Sequence, residues 1–365
     1  MPTAKQQSSR MPLLDAFKAI ACLLIVAHHL AVYGPMSDVA YPLMPTVIDW
    51  FYQYGRMAVQ VFFVVSGFLV ACKFAPEGIP RVLAPGQLVV QRYLRLAIPY
   101  LAALTLSIVC AALARMLMTH ESVPDTPSFT QLLAHVFLLQ DWLDQDALSA
   151  GVWYIAIDFQ LFALTMFIFM AGGRIGEGTW TPVMVLGLVA ASLFIFNRDP
   201  LWDETALYFY GSYGLGMLAY WAGRARAGSL YLLMLTGLVG AALWLAFRER
   251  IAVAGVVMLV LVLAQRSGAL QRWEMPAALN HLGKISFSIF LVHFPLLLLV
   301  NGLVTYLFPQ QLAMNVLGMV LGMAVSIGGG ALFYRRVECY RHSGPMHLAW
   351  PAGFLASGLL ASSLG

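Results

Sequence analysis

Long apolar runs alternate with short polar breaks along the whole chain. Runs of spanning length lie at about 12–33, 55–74, 95–118, 150–170, 181–197, 204–222, 229–247, 251–265, 284–304 and 311–334. A helix of about 20 apolar residues crosses a bilayer, so the pattern predicts an all-α, polytopic membrane helix bundle of about ten transmembrane helices. A last stretch, MHLAWPAGFLASGLLASSL at 346–364, is diluted by Pro, Gly and Ser. It reads either as an eleventh span or as an interfacial segment. Residues 1–340 are expected to form the transmembrane domain and 341–365 a membrane-associated tail.

Composition agrees with this pattern. The 365 residues are 61% hydrophobic and 10% charged, against about 25% charged in soluble proteins. The first run carries charges and lacks a small-residue cleavage site, so it is expected to remain as a helix rather than be removed as a signal peptide. Cys22, Cys72, Cys110 and Cys339 show no paired spacing and suggest neither a disulfide framework nor a zinc site. Walker loops, GxGxxG after a strand and HExxH are all absent. No metal, no permanently bound cofactor and no nucleic-acid partner is expected; the bilayer itself is a partner.

Charge sets the orientation. With the N-terminus inside, the inner segments hold Lys5, Arg10, Lys73, Arg81, the pair Arg92 and Arg95, and nine further Lys or Arg through Arg341. The outer segments hold Arg56, Arg198, Arg248 and Arg250, with Arg115 near the edge. Basic loops stay cytoplasmic, which predicts a cytoplasmic N-terminus. The outer loop 119–149 holds Glu121, Asp125, Asp141, Asp144 and Asp146 and no Lys or Arg. Its middle, TQLLAHVFLLQDWL, has helical periodicity and suits an interfacial or re-entrant segment. The Pro- and aromatic-rich loop 34–54 also lies outside. Both loops suit a lid over a polar substrate, and their aromatics equally suit interfacial anchoring.

The first run, MPLLDAFKAIACLLIVAHHLAVY, departs from the others in carrying Asp15, Lys18, His28 and His29. At about 100° and 1.5 Å per residue, Lys18 and His29 point within about 20° of each other, roughly 16 Å apart along the axis. Asp15 and Cys22 fall near the same stripe, and His28 points about 100° away. Polar groups in hydrocarbon cost several kcal/mol unless partnered. Such a track implies a partner-lined cavity or a row of packing hydrogen bonds between helices.

Other runs add polar groups. VFFVVSGFL places Ser66 and Gly67 in mid-membrane. In QRYLRLAIPY, Arg92 and Arg95 are three residues apart and share a helix face. They suit a phosphate or pyrophosphate, and equally suit snorkelling or anionic lipid. GVWYIAIDFQLF places Asp158 and Gln160 in the outer half of the fourth helix, within one or two helical turns of His29 in depth. LGKISFSIFLVHFP places Lys284, Ser286 and Ser288 at the inner end of the ninth helix. His293 lies deeper in that helix, as a core histidine or a functional one. Glycines such as Gly318 and Gly322 are expected to allow close helix packing.

In this order and spacing, LDAFKAIACLLIVAHH, VFFVVSGFL, RYLR, WYIAIDFQ, LGKISFSIFLVHFP and YRRVE resemble acyltransferase family 3. These are bacterial inner-membrane proteins that O-acylate cell-surface glycans. The resemblance runs from residue 14 to residue 338. It implies His29, eleven residues after Lys18, as the catalytic histidine, and Arg92 and Arg95 in acyl-CoA binding. The family has Arg where this chain has Lys18, Glu where it has Asp158, and often Pro after the position of Glu338. Some members carry a fused extracytoplasmic hydrolase-like domain, for which this chain is expected to be too short.

The expected mechanism follows. Acyl-CoA sits head-down at the cytoplasmic face, with Arg92, Arg95 and Lys18 at its binding site. His29 acts as general base on a sugar hydroxyl from the outer side, and Asp158 orients or charge-balances it. Asp15, Ser66, Gln160, Lys284, Ser286, His293 and Glu338 are further candidates for the polar cavity. Direct transfer and a transient acyl-histidine are both open. The resemblance implies acetyl-CoA as donor, with succinyl-CoA as the alternative, and a surface glycan or lipid-linked sugar as acceptor. Three other classes compete. A secondary transporter would tend to show an internal repeat, and none is seen. A membrane O-acyltransferase of the other superfamily would place its histidine late, as His293 is. A non-catalytic component of polysaccharide export or assembly is the third.

Overall fold

The computed structural model describes residues 11–81, 84–175, 179–339 and 346–364. Lys5, Arg10, Arg341 and the expected domain boundary at 340/341 lie outside the described residues. The helices are α1 (Pro12–Val32), α2 (Pro35–Ala40), α3 (Pro45–Tyr54), α4 (Val59–Phe74), α5 (Pro85–Leu117), α6 (Phe129–Val136), α7 (Val152–Arg174) and α8 (Thr181–Phe194). They continue with α9 (Ala206–Arg224), α10 (Gly228–Leu245), α11 (Glu249–Ser267), α12 (Ala269–Arg272), α13 (Ala277–Leu307), α14 (Leu312–Phe333) and α15 (Met346–Leu364). Among the described residues there is no strand, and the chain is an all-α bundle.

Proline opens α1, α2, α3 and α5, where its fixed φ suits the first helical turn and its missing N–H costs nothing. Nine described stretches are long and apolar enough to cross a membrane. The run expected at 204–222 forms α9, which is not among the nine. Tyr208, Tyr210, Tyr213 and Tyr220, with four glycines, lower its apolarity, yet nearly all of it is buried. It is a helix that faces other helices rather than lipid. The tail forms α15, which packs along α5 and meets α6 where Gly358 lies against Leu132. It too falls short of the nine.

Three boundaries differ from expectation. The second span starts at Pro45, because α3 continues through a tight turn at Gly55–Ala58 into α4. Helix α5 begins ten residues early and runs for 33, and α13 begins seven residues early and runs for 31. At about 1.5 Å per residue both exceed a hydrocarbon core about 30 Å thick. Each contains a proline, Pro99 and Pro295, which deletes a backbone hydrogen bond and kinks the helix. The outer loops also carry structure. Residues 34–54 hold α2 and α3, and in the long loop a capping box between Ser128 and Gln131 starts α6.

The helices pack in two groups. In one, α13 lies against α1, α5 and α14; in the other, α9 lies against α4, α8 and α11. Glycine permits the tightest approaches. A Cβ at Gly283 of α13 would overlap the Asp15 carbonyl of α1, and one at Gly67 of α4 would overlap the Tyr213 carbonyl of α9. The polar cavity lies where the two groups meet.

Candidate active site

The polar stripe of α1 faces α13 along its length. At one end the Asp15 backbone meets Gly283. Midway, Cys22 Sγ–H donates to the Ser286 carbonyl at 3.3 Å. At the other end the His29 and His293 rings lie nearly parallel, 10° apart, with centroids at 4.9 Å. His28 points away and bonds the Phe51 carbonyl of α3 at 2.8 Å.

The hydrogen bonds of the histidine pair assign its tautomers. His293 Nδ1 is 2.7 Å from the Phe290 carbonyl. A carbonyl only accepts, so this nitrogen carries the proton, and in the neutral ring Nε2 is an acceptor. His29 Nδ1, 2.6 Å from that Nε2, must then be the donor. The lone pair of neutral His29 is left on Nε2. His293 is fully buried, whereas His29 keeps a small exposed area. Tyr33 and Phe294 flank His29 edge-on, at 5.2 and 6.5 Å. A proton taken up at Nε2 would be supported through Nδ1–H, His293 and the Phe290 carbonyl.

Towards the end of the bundle that holds Lys18 lies a cavity of about 510 Å³. It gathers seven of the expected residues on six elements: Lys18 of α1, Ser66 of α4, Arg92 and Arg95 of α5, Asp158 of α7, Ser286 of α13, and Glu338 of the turn after α14. Glu338 reaches it because α14 ends in a π-helical turn, Tyr334–Glu338, a rare geometry frequent at functional sites. Ser288 donates to Glu338 at 2.5 Å. Lys18 is held by Asp15 at 2.8 Å. Phe290 lines the cavity with its ring, against Tyr154 at 5.2 Å and Phe62 at 6.1 Å, while its carbonyl orients His293.

Asp158 does not meet His29. It accepts from Arg92 at 2.5 Å, with Arg92 also over the Phe162 ring at 5.4 Å. The early start of α5 explains this, since it places Arg92 inside a helix rather than at its edge, within reach of α7. The two arginines therefore differ. Arg92 is half-buried and paired, while Arg95 is exposed.

Beyond His29, at the opposite end of α1, a second cleft of about 810 Å³ opens. Tyr33, Tyr41, Tyr52, Asp38, Asp49 and Glu121 line it, and among the described residues no Lys or Arg does. Tyr41 donates to Asp49 at 3.1 Å. His29 lines neither recess but stands between one of three cations and two carboxylates and one of carboxylates and phenols, with Tyr33 shared by the cleft and the histidine.

A family model described as an acyltransferase domain matches residues 12–335, nearly the whole chain. The chain belongs to acyltransferase family 3. No match was found among curated proteins or among solved structures.

In this acyltransferase, four expected cavity residues do not line the basic cavity: Asp15, which pairs with Lys18, His293, which pairs with His29, and Gln160 and Lys284. Gln160 accepts from the Ala206 N–H at 3.1 Å and so caps the start of α9. Lys284 is exposed and sits over the Tyr334 ring at 5.5 Å. The sequence pattern alone does not mark Phe290 or Tyr33. Helical spacing could have found the first, since residues three apart on a helix are neighbours and Phe290 stands three before His293.

Proposed function

We propose that this acyltransferase moves an acyl group, acetyl on the resemblance drawn above, from acyl-CoA in the basic cavity to a glycan hydroxyl in the acidic cleft. The glycan is a surface polysaccharide or a lipid-linked sugar. The Lys/Arg asymmetry supports a cytoplasmic basic end in the bacterial inner membrane. One observation carries the reading: His29, with Nδ1–H engaged and Nε2 left as its lone pair, stands between two recesses, one holding Lys18, Arg92 and Arg95 and the other no Lys or Arg. Arg95 and Lys18 suit the phosphates of the donor near the cavity mouth, and Arg92 lies deeper.

In direct transfer, Nε2 takes the hydroxyl proton as the oxygen attacks the thioester carbon. The C–S bond breaks, and the departing thiolate takes the proton from the imidazolium. In the two-step variant Nε2 itself attacks the thioester carbon and the C–S bond breaks to release the thiolate; the hydroxyl oxygen then attacks the acyl carbon, the N–C bond breaks, and the hydroxyl proton passes to the thiolate. His293 is a positioning residue in both. The cleft offers rings to stack on sugar faces and carboxylates to accept from hydroxyls, which suits neutral or amino sugars.

The test compares surface glycans of a deletion strain complemented with wild type or with His29→Gln, by mass spectrometry. An acyl mass restored only by wild type is the expected result. Equal restoration by both removes His29 from the chemistry. Absence of any acyl difference between parent and deletion removes the glycan as acceptor. Release of CoA thiol from acyl-CoA by the purified protein tests the donor independently.

A further inference from the structure

At the end of the bundle that holds the acidic cleft lies another recess, of about 320 Å³, which the transfer reading does not use. The cleft takes Asp49 and Tyr52 from α3, and this recess takes Arg56 from the turn that follows. Arg250 shares it with Asp141, Asp203 and Glu204. Among the described residues neither arginine forms an ion pair with any of these carboxylates. Arg250 is fixed by Tyr208 instead, donating to its hydroxyl and lying over its ring at 5.2 Å. Burial and the charge of Glu204 push the Asp141 carboxyl up to about 6. Gln60, only 5% exposed, also lines the recess. One end of its amide is held by the Ser212 hydroxyl at 2.6 Å, and the other has no partner and stays open to the recess. Trp153 adds a flat wall, packed on Phe209 at 5.6 Å. Trp142 donates to the Glu204 carbonyl at 3.0 Å, which ties the long outer loop to the segment before α9.

These groups select a ligand class. A bare anion would meet three carboxylates, and a bare cation two guanidiniums. Guanidinium only donates, carboxylate only accepts, and an unpaired buried amide gains from any partner. The complementary ligand is neutral, carries donors and acceptors around its rim, and has an apolar face for the indole. A pyranose ring has all three, since each hydroxyl both donates and accepts and its C–H face packs on an aromatic ring. We infer that this recess is a second saccharide subsite, holding a sugar of the acceptor glycan next to the one that is acylated. The inference rests on the acceptor reading above and deepens it: the enzyme takes a chain rather than a single sugar. Tyr52 of the cleft and Arg56 of the recess are four residues apart, roughly 6–8 Å of helix, so one glycan chain can lie in both.

The test uses the full-length protein in nanodiscs and fragments of the deletion strain's surface polysaccharide, graded in length from single sugars upward. Acylation is followed by mass spectrometry and binding by calorimetry. Wild type should gain about tenfold in kcat/KM from single sugars to longer fragments. Trp153→Ala should lose that gain, and Trp153→Phe, which keeps a ring, should retain part of it, with CoA binding as the check that each variant is folded. Equal kcat/KM for single sugars and longer fragments in wild type overturns the assignment. That comparison needs no variant, so a misfolded one cannot obscure it. A Trp153→Ala protein that keeps the full gain, or that loses single sugars as much as longer fragments, overturns it too. Fragments that wild type binds with the length preference but never acylates leave the subsite standing and overturn the transfer reading. Fragments neither bound nor acylated overturn both.

Discussion

His29 donates through Nδ1 to Nε2 of His293 at 2.6 Å, across 264 residues of sequence, and His293 is fixed in turn by the Phe290 carbonyl. The arrangement has the logic of a base oriented by a third group, with a neutral imidazole where other enzymes use a carboxylate. His29→Gln should therefore lower transfer by about 10²–10⁴-fold while leaving acyl-CoA binding intact. His293→Phe removes a hydrogen bond to the charged form of His29, worth about 1.5–3 kcal/mol, or roughly 10–150-fold in rate. It should also shift the pH profile of the residual activity, which a purely structural loss would not. His28→Ala gives up only its bond to Phe51 and should retain most transfer. A dead His28→Gln beside an active His29→Gln would reverse the assignment.

Arg95→Ala should weaken CoA binding by roughly ten- to a hundred-fold, with partial rescue by lysine, which keeps the charge and loses the fork. Arg92→Ala should behave differently. It strands Asp158, whose side chain is only 6% exposed. Breaking a buried pair costs about 3–5 kcal/mol, and the partly exposed Arg92 puts this site at the low end. Reduced thermal stability in detergent, partly restored in Arg92→Ala/Asp158→Ala, is the expected pattern. If the double variant is no more stable than Arg92→Ala, the ion pair does not hold α5 to α7.

The outer loop should be pH-sensitive. His135 of α6 is fully buried, bonding the Gln131 carbonyl through Nδ1 and accepting from the Leu148 N–H through Nε2. Burial pushes its pKa down from 6.5 to about 4. The undocked ring takes a proton below pH 6.5 and the docked ring does not. Docking is therefore at full strength above 6.5 and weakens as pH falls towards 4, by roughly 3 kcal/mol over the window. Amide-exchange protection of residues 128–148, corrected for intrinsic rates, should fall between pH 7 and pH 4.5. His135→Gln should flatten the dependence. Equal protection at both values in wild type would remove His135 as the cause.

Orientation is accessible to labelling. Arg81 and Asp144 are exposed at opposite ends of the bundle. In a background lacking the native cysteines, an impermeant maleimide on sealed cells should modify Asp144→Cys and spare Arg81→Cys. The opposite pattern inverts the donor and acceptor sides.

The spans were legible because lipid-facing residues must be apolar whatever they pack against. The early starts of α5 and α13 were not, since QLVVQ and AALNHLG are too polar to read as membrane, although Pro85 and Pro276 mark where each helix begins. The stripe on α1 was legible from helical periodicity. Its partner was not: the contact of His29 with His293 depends on Gly283 letting α1 and α13 close, which no local spacing encodes. The expected approach of Asp158 to His29 failed for the same reason. Depth along a helix can be counted from the sequence, but the neighbour at that depth cannot, and Arg92 stood nearer. Gln160 is drawn away from the cavity because a helix N-terminus also needs acceptors for its free N–H groups.

Phe290 has one more consequence, electrical in kind. If the two recesses open to water on opposite sides of the bilayer, the imidazoles between them would make a short circuit for protons. Each elementary charge that crosses 100 mV releases about 2.3 kcal/mol. The Phe290 ring, packed with Phe62 and Tyr154 between the basic cavity and the histidine pair, puts hydrocarbon across that route. Its faces bind no proton and order no water. An acyl group, itself hydrocarbon, would pass where an ion does not, so the transfer proposed for this chain need not discharge the membrane.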